Sequence, residues 1–241
     1  MKKVLFVIPT LFHNKELVSN CIDSLVNNLK KFNIEYKICL VINEDTNEFR
    51  EYKFNHDIIK LSSNLQFSIS KALNTGAQYD YDYDYFCYVD DGMEITNEIW
   101  IDYLIELFEQ NTNLGLVGAR PHSTYEYYHK KINDYPELYE VLWSDGILFT
   151  TKNHILKYNG FDESYFGDCE LQDFGYRLHF DGFINIFWAD FSKHNLVDFT
   201  QKSDKPRELI TLVNKTRKLF ESKWNNLEHK HYGFMTKFSY I

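Results

Sequence analysis

The chain is short of the residues that punctuate a fold. Its 241 residues include 4 prolines and 10 glycines. No stretch rich in them divides the sequence, which excludes a flexible linker between separate domains. The 4 cysteines, Cys21, Cys39, Cys87 and Cys169, form no C-x-x-C pair. Thiolate zinc clusters and dithiol redox motifs are therefore excluded, and the apolar surroundings of most of these thiols fit reduced core residues of a cytosolic protein. Neither a Gly-x-x-x-x-Gly-Lys loop nor a Gly-x-Gly-x-x-Gly turn occurs, so both familiar backbone cradles for phosphate are missing. No segment approaches the ~18 uninterrupted apolar residues of a membrane span. The run Met1 to Ile8 imitates a signal peptide, but it is short, Pro9 interrupts it, and no small-x-small cleavage site follows. A buried first strand is the better reading. Positive charge is scarce as well. With 26 Lys and Arg against 35 Asp and Glu the formal charge is -9, which argues against nucleic acid as a partner.

What is abundant is apolar and aromatic mass. Hydrophobic residues make up 44% and aromatics 17% of the chain, enough for one sizeable core. Apolar, β-branched runs predict strands over Val4 to Ile8, Tyr36 to Ile42, Asp57 to Leu61, Tyr85 to Val89 and Leu114 to Ala119. Helical spacing predicts a helix capped by Asn14, another over Ser68 to Gln78, and an amphipathic one over Glu98 to Gln110. This βαβαβ alternation implies a mainly parallel sheet flanked by helices. Further on, a strand over Gly146 to Thr151, a short helix over Lys152 to Tyr158 ending at Gly160, a helix over Cys169 to Phe180 and a strand over Phe183 to Trp188 are expected. Arg120 to Tyr139 reads as loops or an edge hairpin. A long charged helix over Leu209 to Leu227 has Leu212, Leu219, Phe220 and Trp224 as its sticky face. The expected organisation is one α/β domain over 1–200, with a nucleotide-binding half at 1–119 and an acceptor half at 120–200, and a helical extension over 201–241.

Tyr85 to Val89 ends in Asp90-Asp91-Gly92. Ligands of open α/β sheets bind beyond the carboxyl ends of strands. Two adjacent carboxylates in such a cleft repel unless a cation lies between them or one is protonated, and hard divalent cations take oxygen ligands of this kind. Asp80, Asp82 and Asp84 lie at the other end of the same strand. They read as a solvated turn.

The order of these elements resembles one family. Val-Ile-Pro-Thr at the first strand, an acidic turn after the second, an Asn-x-Gly helix and a strand ending in Asp-Asp are similar to the nucleotide-binding half of GT-A fold glycosyltransferases of the bacterial family 2 type. Gly160-Phe161-Asp162-Glu163-x-Tyr165-Phe166 resembles that family's G-G-F-D-E-x-F segment, and Glu170 to Arg177 its E-D-x-D-L-x-x-R helix. Arg217 to Trp224 resembles the F-x-x-K-W tail of some members. The resemblance implies a metal held by Asp91 and His194, with Mn²⁺ or Mg²⁺ as the ion, and Asp90 turned to the ribose or base. It implies nucleotide contacts from Pro9, Thr10, Asn43, Glu44, Lys71 and Asn74. Trp143, Asp145 and Gly146 would lie near the sugar or acceptor, with Trp143 either stacked on a pyranose or packed in the core. Glu170 is the first candidate for general base, with Asp168 and Asp173 behind it. Arg177, four residues beyond Asp173, is at ion-pair spacing. Two positions depart from the pattern: Gly92 replaces the last acid of Asp-x-Asp, and Leu171 replaces the acid next to Glu170.

The implied activity is inverting transfer of a sugar from a nucleotide-diphosphate donor, UDP-sugars favoured, to a glycan or lipid-linked acceptor in surface polysaccharide assembly. The implied place is the cytoplasm, including the inner face of the membrane. Lys215, Arg217, Lys218 and Lys223 beside an apolar stripe suit an anionic membrane surface. Packing of that stripe onto the domain or onto a second subunit, as a homodimer, is the stronger reading. A degenerate transferase that binds a nucleotide sugar or glycan without turnover is the alternative function. A sugar nucleotidyltransferase is disfavoured because Thr10 to Asn14 is not the Gly-rich basic loop such an enzyme needs.

Overall fold

The computed structural model describes residues 1–64, 68–120, 130–131, 138–188, 192–194 and 207–224. The elements run β1 (Lys2–Thr10), α1 (Lys15–Leu29), β2 (Ile34–Ile42), α2 (Asn47–Glu51), β3 (Ile59–Ser62), α3 (Ile69–Tyr79), β4 (Tyr85–Val89), β5 (Met93–Ile95) and α4 (Trp100–Gln110). They continue with β6 (Leu114–Arg120), β7 (Lys130–Lys131), β8 (Leu138–Val141), β9 (Asp145–Thr151), α5 (Lys152–Lys157), α6 (Glu170–Phe180), β10 (Ile184–Trp188), β11 (Ser192–His194) and α7 (Arg207–Trp224). Among the described residues no helix is long and apolar enough to cross a membrane.

One sheet has the order β3-β2-β1-β4-β9-β6-β10-β8-β7. β1, β2, β3 and β4 pair in parallel. β9 inserts antiparallel between β4 and β6. β10 lies parallel to β6, β8 antiparallel to β10, and β7 antiparallel to β8. Only β8 and β9 thus run against the other described strands of this sheet, so it is the mixed, mainly parallel sheet the sequence predicted. β2 and β4 flank β1 on opposite sides, which makes the carboxyl end of β1 a point where the winding reverses. A crevice opens at such a point.

The alternation of β1 explains its central place. Val4, Phe6 and Ile8 face one cluster, with Val18, Ile22 and Leu25 of α1 and Trp100, Ile101 and Leu104 of α4. Leu5 and Val7 face the other, with Ala72 and Leu73 of α3 and Phe174 and Leu178 of α6. Successive side chains point to opposite faces, so a strand covered on both sides must be apolar throughout. Burying each such Phe or Leu contributes about 1.5–3 kcal/mol. α1 and α3 begin where the sequence predicts: Asn14 accepts from the Leu17 N–H and Ser68 from the Lys71 N–H. A third cluster joins Trp143, Tyr165 and Tyr176 to Phe220 and Trp224 of α7, so these two residues of the sticky face pack on their own domain, while Leu219 is exposed.

Asp80 pairs with Lys37, Asp82 with Lys3, and Asp84 accepts from the Lys3 N–H at 2.9 Å. All three precede β4, at the end of the sheet away from Asp90, and form the polar turn expected. All four cysteines are buried and free. The hairpin expected within Arg120 to Tyr139 falls mostly outside the described residues; the described parts pair as β7 and β8. Three elements, α2, β5 and β11, are absent from the sequence-based expectation. They span five residues or fewer, too short for a periodic signal.

Candidate active site

Beyond β4 the chain turns sharply. The Asp90 N–H donates to the Gly146 carbonyl at 2.7 Å, and the Met93 N–H donates back to the Asp90 carbonyl at 3.0 Å. Asp90 Oδ1 accepts from the Gly92 N–H at 3.0 Å, and Tyr88 donates its hydroxyl to Asp90 Oδ2 at 3.4 Å. Asp91 Oδ2 accepts from Thr10 Oγ1 at 2.6 Å, and that hydroxyl accepts from the Phe12 N–H at 2.9 Å. Thus the ends of β1 and β4 are joined through a carboxylate, and both acids are half-buried.

β5 follows at once and pairs antiparallel with β11, matching Met93 with His194, Glu94 with Lys193 and Ile95 with Ser192. The backbone of His194 therefore returns to a position two residues from Asp91, although the two lie far apart in sequence. The side chain of His194 lies outside the described residues. Among the described residues no group of three or more His, Cys, Asp or Glu side chains converges as a metal site. Asp91, oriented by the Thr10 hydroxyl, offers the carboxylate oxygen that a hard divalent ion takes.

Beside the end of β4, Asp145 and Gly146 open β9. Gly146 has φ +75°, and its N–H donates to Asp145 Oδ1 at 2.7 Å. The residues before α6 form a second unusual turn, with Gly167 at φ +71° and Cys169 at φ +68°. This turn presents Glu170. The Glu170 side chain is buried, at 3% exposure, and its Oε1 has no hydrogen-bond partner among the described residues. Burial raises its pKa to about 8. The Asp168 and Asp145 carboxylates add to the rise, while backbone N–H groups at Glu170 and Gly167 oppose it.

The other predicted site residues divide. Pro9 sits within β1 opposite Val41, at the carboxyl end beside Thr10. Asn43 is buried and accepts from the Ser63 hydroxyl at 3.3 Å, whereas Glu44 is exposed on the same turn. Lys71 forms an ion pair with Glu163 at 3.2 Å. Asn74 donates to the Phe161 carbonyl and to Glu163, and its Oδ1 accepts from the Phe161 N–H. Its amide thus clamps the loop after Gly160, where φ is +72° and an added Cβ would overlap Asn74 Oδ1. Asp168 pairs with Arg217 at 2.5 Å.

Two candidates take structural places. Asp173 lies in a cluster of ion pairs. It is fully buried and held by Arg177 at 2.8 Å, Lys223 at 2.7 Å, the Trp224 Nε1–H at 3.0 Å and the Tyr165 hydroxyl at 3.2 Å. Its charge is consumed in a structural hub, and the expected Arg177 pair is part of it. Trp143 is 5% exposed and packs with Tyr176 and Trp224, so it is a core residue and leaves no face for a sugar. Leu171 is also buried, beside Phe174 and Leu178. The position where the resembled pattern has a second acid therefore points into the core, which leaves Glu170 alone at the helix start.

Sequence reasoning missed the Thr10–Asp91 hydrogen bond and the grip of α7 on the loop before Glu170. Both join residues about fifty or more apart, and no local pattern signals such a contact.

Solved structures with a similar fold include glycosyltransferases. Drosophila β1,4-galactosyltransferase 7 in complex with xylobiose is 17% identical, with TM-score 0.58 over 84% of this chain and 74% of that one. S. aureus TarS in complex with UDP-GlcNAc is 14% identical, with TM-score 0.60 over 95% and 68%. GalNAc-T7 with UDP, GalNAc and Mn²⁺ is 12% identical, with TM-score 0.60 over 78% and 42%. No curated protein matches the chain. The profile of glycosyl transferase family 2 matches residues 6–167, from β1 through the Asp90-Asp91 turn and β9 to the turn that precedes Glu170. On that match, over well more than half its length, the chain belongs to glycosyl transferase family 2.

Proposed function

We propose that the chain transfers a sugar, with inversion, from a nucleoside diphosphate sugar to a hydroxyl of a glycan or lipid-linked acceptor. A UDP-sugar is the favoured donor, because the similar structures hold UDP, UDP-GlcNAc or a glycan. The observation that carries the reading is the Asp145-Gly146 turn. Gly146 binds the Asp90 backbone, and Asp145 lies close enough to Glu170 to raise its pKa. The Asp145-Gly146 turn thus links the Asp90-Asp91 turn to the start of α6.

In the transfer, the acceptor oxygen forms a bond to the anomeric carbon from the face opposite the nucleotide. The bond from that carbon to the diphosphate breaks, and its electron pair leaves on the diphosphate. Glu170 takes the acceptor proton as general base. Its burial excludes water, and its raised pKa makes the carboxylate a stronger base once it is ionised. Thr10, Asn43 and Asp90 line the nucleotide side, and Asp145 the sugar side. Asp91 and His194 are the residues that would hold Mn²⁺ or Mg²⁺, which would supply positive charge to the departing diphosphate. The acid absent at Gly92 makes Asp91 the carboxylate ligand. Bacterial surface polysaccharide assembly is the setting the family suggests.

The test is thermal stability and UDP release with UDP-galactose and UDP-GlcNAc, with and without Mn²⁺, in the wild type and Asp91→Ala. The expected result is Mn²⁺-dependent stabilisation of the wild type that grows with donor concentration, together with turnover. Asp91→Ala should lose both. Equal slow turnover in the two proteins would refute the metal-assisted transfer.

A further inference from the structure

Helix α7 grips the segment that carries Glu170 at several points. Thr216 Oγ1 accepts from the Phe166 N–H at 2.9 Å. Arg217 Nε donates to Asp168 Oδ2 at 2.5 Å. Lys223 reaches Asp162 at 3.1 Å and Asp173 at 2.7 Å, and Trp224 donates to Asp173 at 3.0 Å. The family match ends at residue 167, so Asp168 and all these α7 residues lie beyond it.

The backbone between the grips is unusual. Gly167 and Cys169 are both left-handed, and Asp168 stands between them. A residue with a side chain holds that conformation only where its surroundings enforce it. Cys169 gives α6 no side-chain cap, so the helix start is not fixed from within. Both Asp168 oxygens are tied instead: Oδ1 accepts from the Cys169 N–H at 3.0 Å and Oδ2 from Arg217. Arg217 therefore does two things at once. It anchors the turn that aims Glu170, and it neutralises a carboxylate close enough to disfavour the ionised form of Glu170.

We propose that Arg217 is a positioning residue for the transfer: by gripping Asp168 it fixes the left-handed turn that delivers Glu170 to the cleft and cancels the charge beside it. This rests on Glu170 being the base proposed above. The charged groups that face Glu170 are Asp168 from the turn and Asp145 from β9, with Arg217 behind Asp168. Without the guanidinium, the Asp168 carboxylate acts on Glu170 uncompensated, and the proton of Glu170 is held more tightly.

The experiment follows the Glu170 side-chain carboxyl by ¹³C NMR across pH, beside the pH profile of UDP release from UDP-galactose and UDP-GlcNAc with Mn²⁺. In Arg217→Gln the titration midpoint rises by about one unit, and turnover at pH 7 falls about tenfold, recovering at high pH. Arg217→Lys retains the charge and restores most of both. Arg217→Gln combined with Asp168→Asn removes the uncompensated carboxylate and brings the midpoint back to the wild-type value or below. If Arg217→Gln does not fold, Asp168→Asn carries the test, because loss of the like charge lowers the midpoint. A Glu170 midpoint unmoved in the folded variants would overturn the proposal, whatever happens to stability. Wild-type protein that releases no UDP would refute the transferase reading, while the NMR midpoint would still decide the role of Arg217.

Discussion

Glu170→Gln keeps the shape of the side chain and removes its proton. In the folded protein the carboxyl titrates near about 8, against 4.5 for an unperturbed glutamate. Between those values the native state holds a proton that the unfolded chain has released. Stability of the wild type therefore falls as pH rises through this window, by about 1.4 kcal/mol per unit, and is flat above it. The whole window amounts to about 5 kcal/mol. For a chain of this size that is a shift in Tm of about 10–20 °C. Glutamine has no such equilibrium. The two proteins should be equally stable near pH 4.5 and diverge steadily, with the variant the more stable at pH 9. Urea denaturation at intervals from pH 4.5 to 9 measures this directly. Turnover supplies the second half of the test: wild-type UDP release should climb through pH 8 as the carboxylate forms, while Glu170→Gln stays at a low, flat rate. Parallel stability curves would show that burial does not hold the Glu170 proton, and the argument for it as a poised base would fail with them.

Two further outcomes follow from the packing. Asp173→Asn leaves Lys223 and Arg177 facing a neutral amide in a buried hub and should cost about 3 kcal/mol in urea unfolding; a loss under 1 kcal/mol would refute the hub. Gly160→Ala forces a side chain into a left-handed position against Asn74 Oδ1 and should cost at least about 2 kcal/mol, with a smaller cost in an Asn74→Ala background because the clash is shared between the two sites.

Much of the architecture was legible from local pattern. β4 was bounded correctly because five apolar residues in a row must be buried on both faces, and the start of α1 because Asn14 is a strong cap. The acids at the end of β4 were legible too, since a strand that stops in Asp-Asp has little other use for them. The Asp173–Arg177 pair was legible from its i,i+4 spacing, but the choice between cleft and core for Trp143, and the contacts of α7 with Asp173, were not. An aromatic residue and an acid have the same local signature whether they face a cleft or a neighbouring helix, and only α7, returning from beyond residue 200, covers both.

The positions of most strands and helices along the chain, the Asn14 cap and the acidic strand end are set by residues adjacent in the chain, and the amino-acid sequence by itself determined them. Which carboxylate stands in the cleft and which is neutralised depends on charges and rings brought together from far apart. Arg217 beside Asp168, Lys223 and Trp224 beside Asp173, and the backbone of His194 beside Met93 are contacts between distant segments. Desolvation and Coulomb interactions depend on distance in space. The ionisation of Glu170, and with it the chemistry proposed for the site, was therefore decided by the tertiary structure alone.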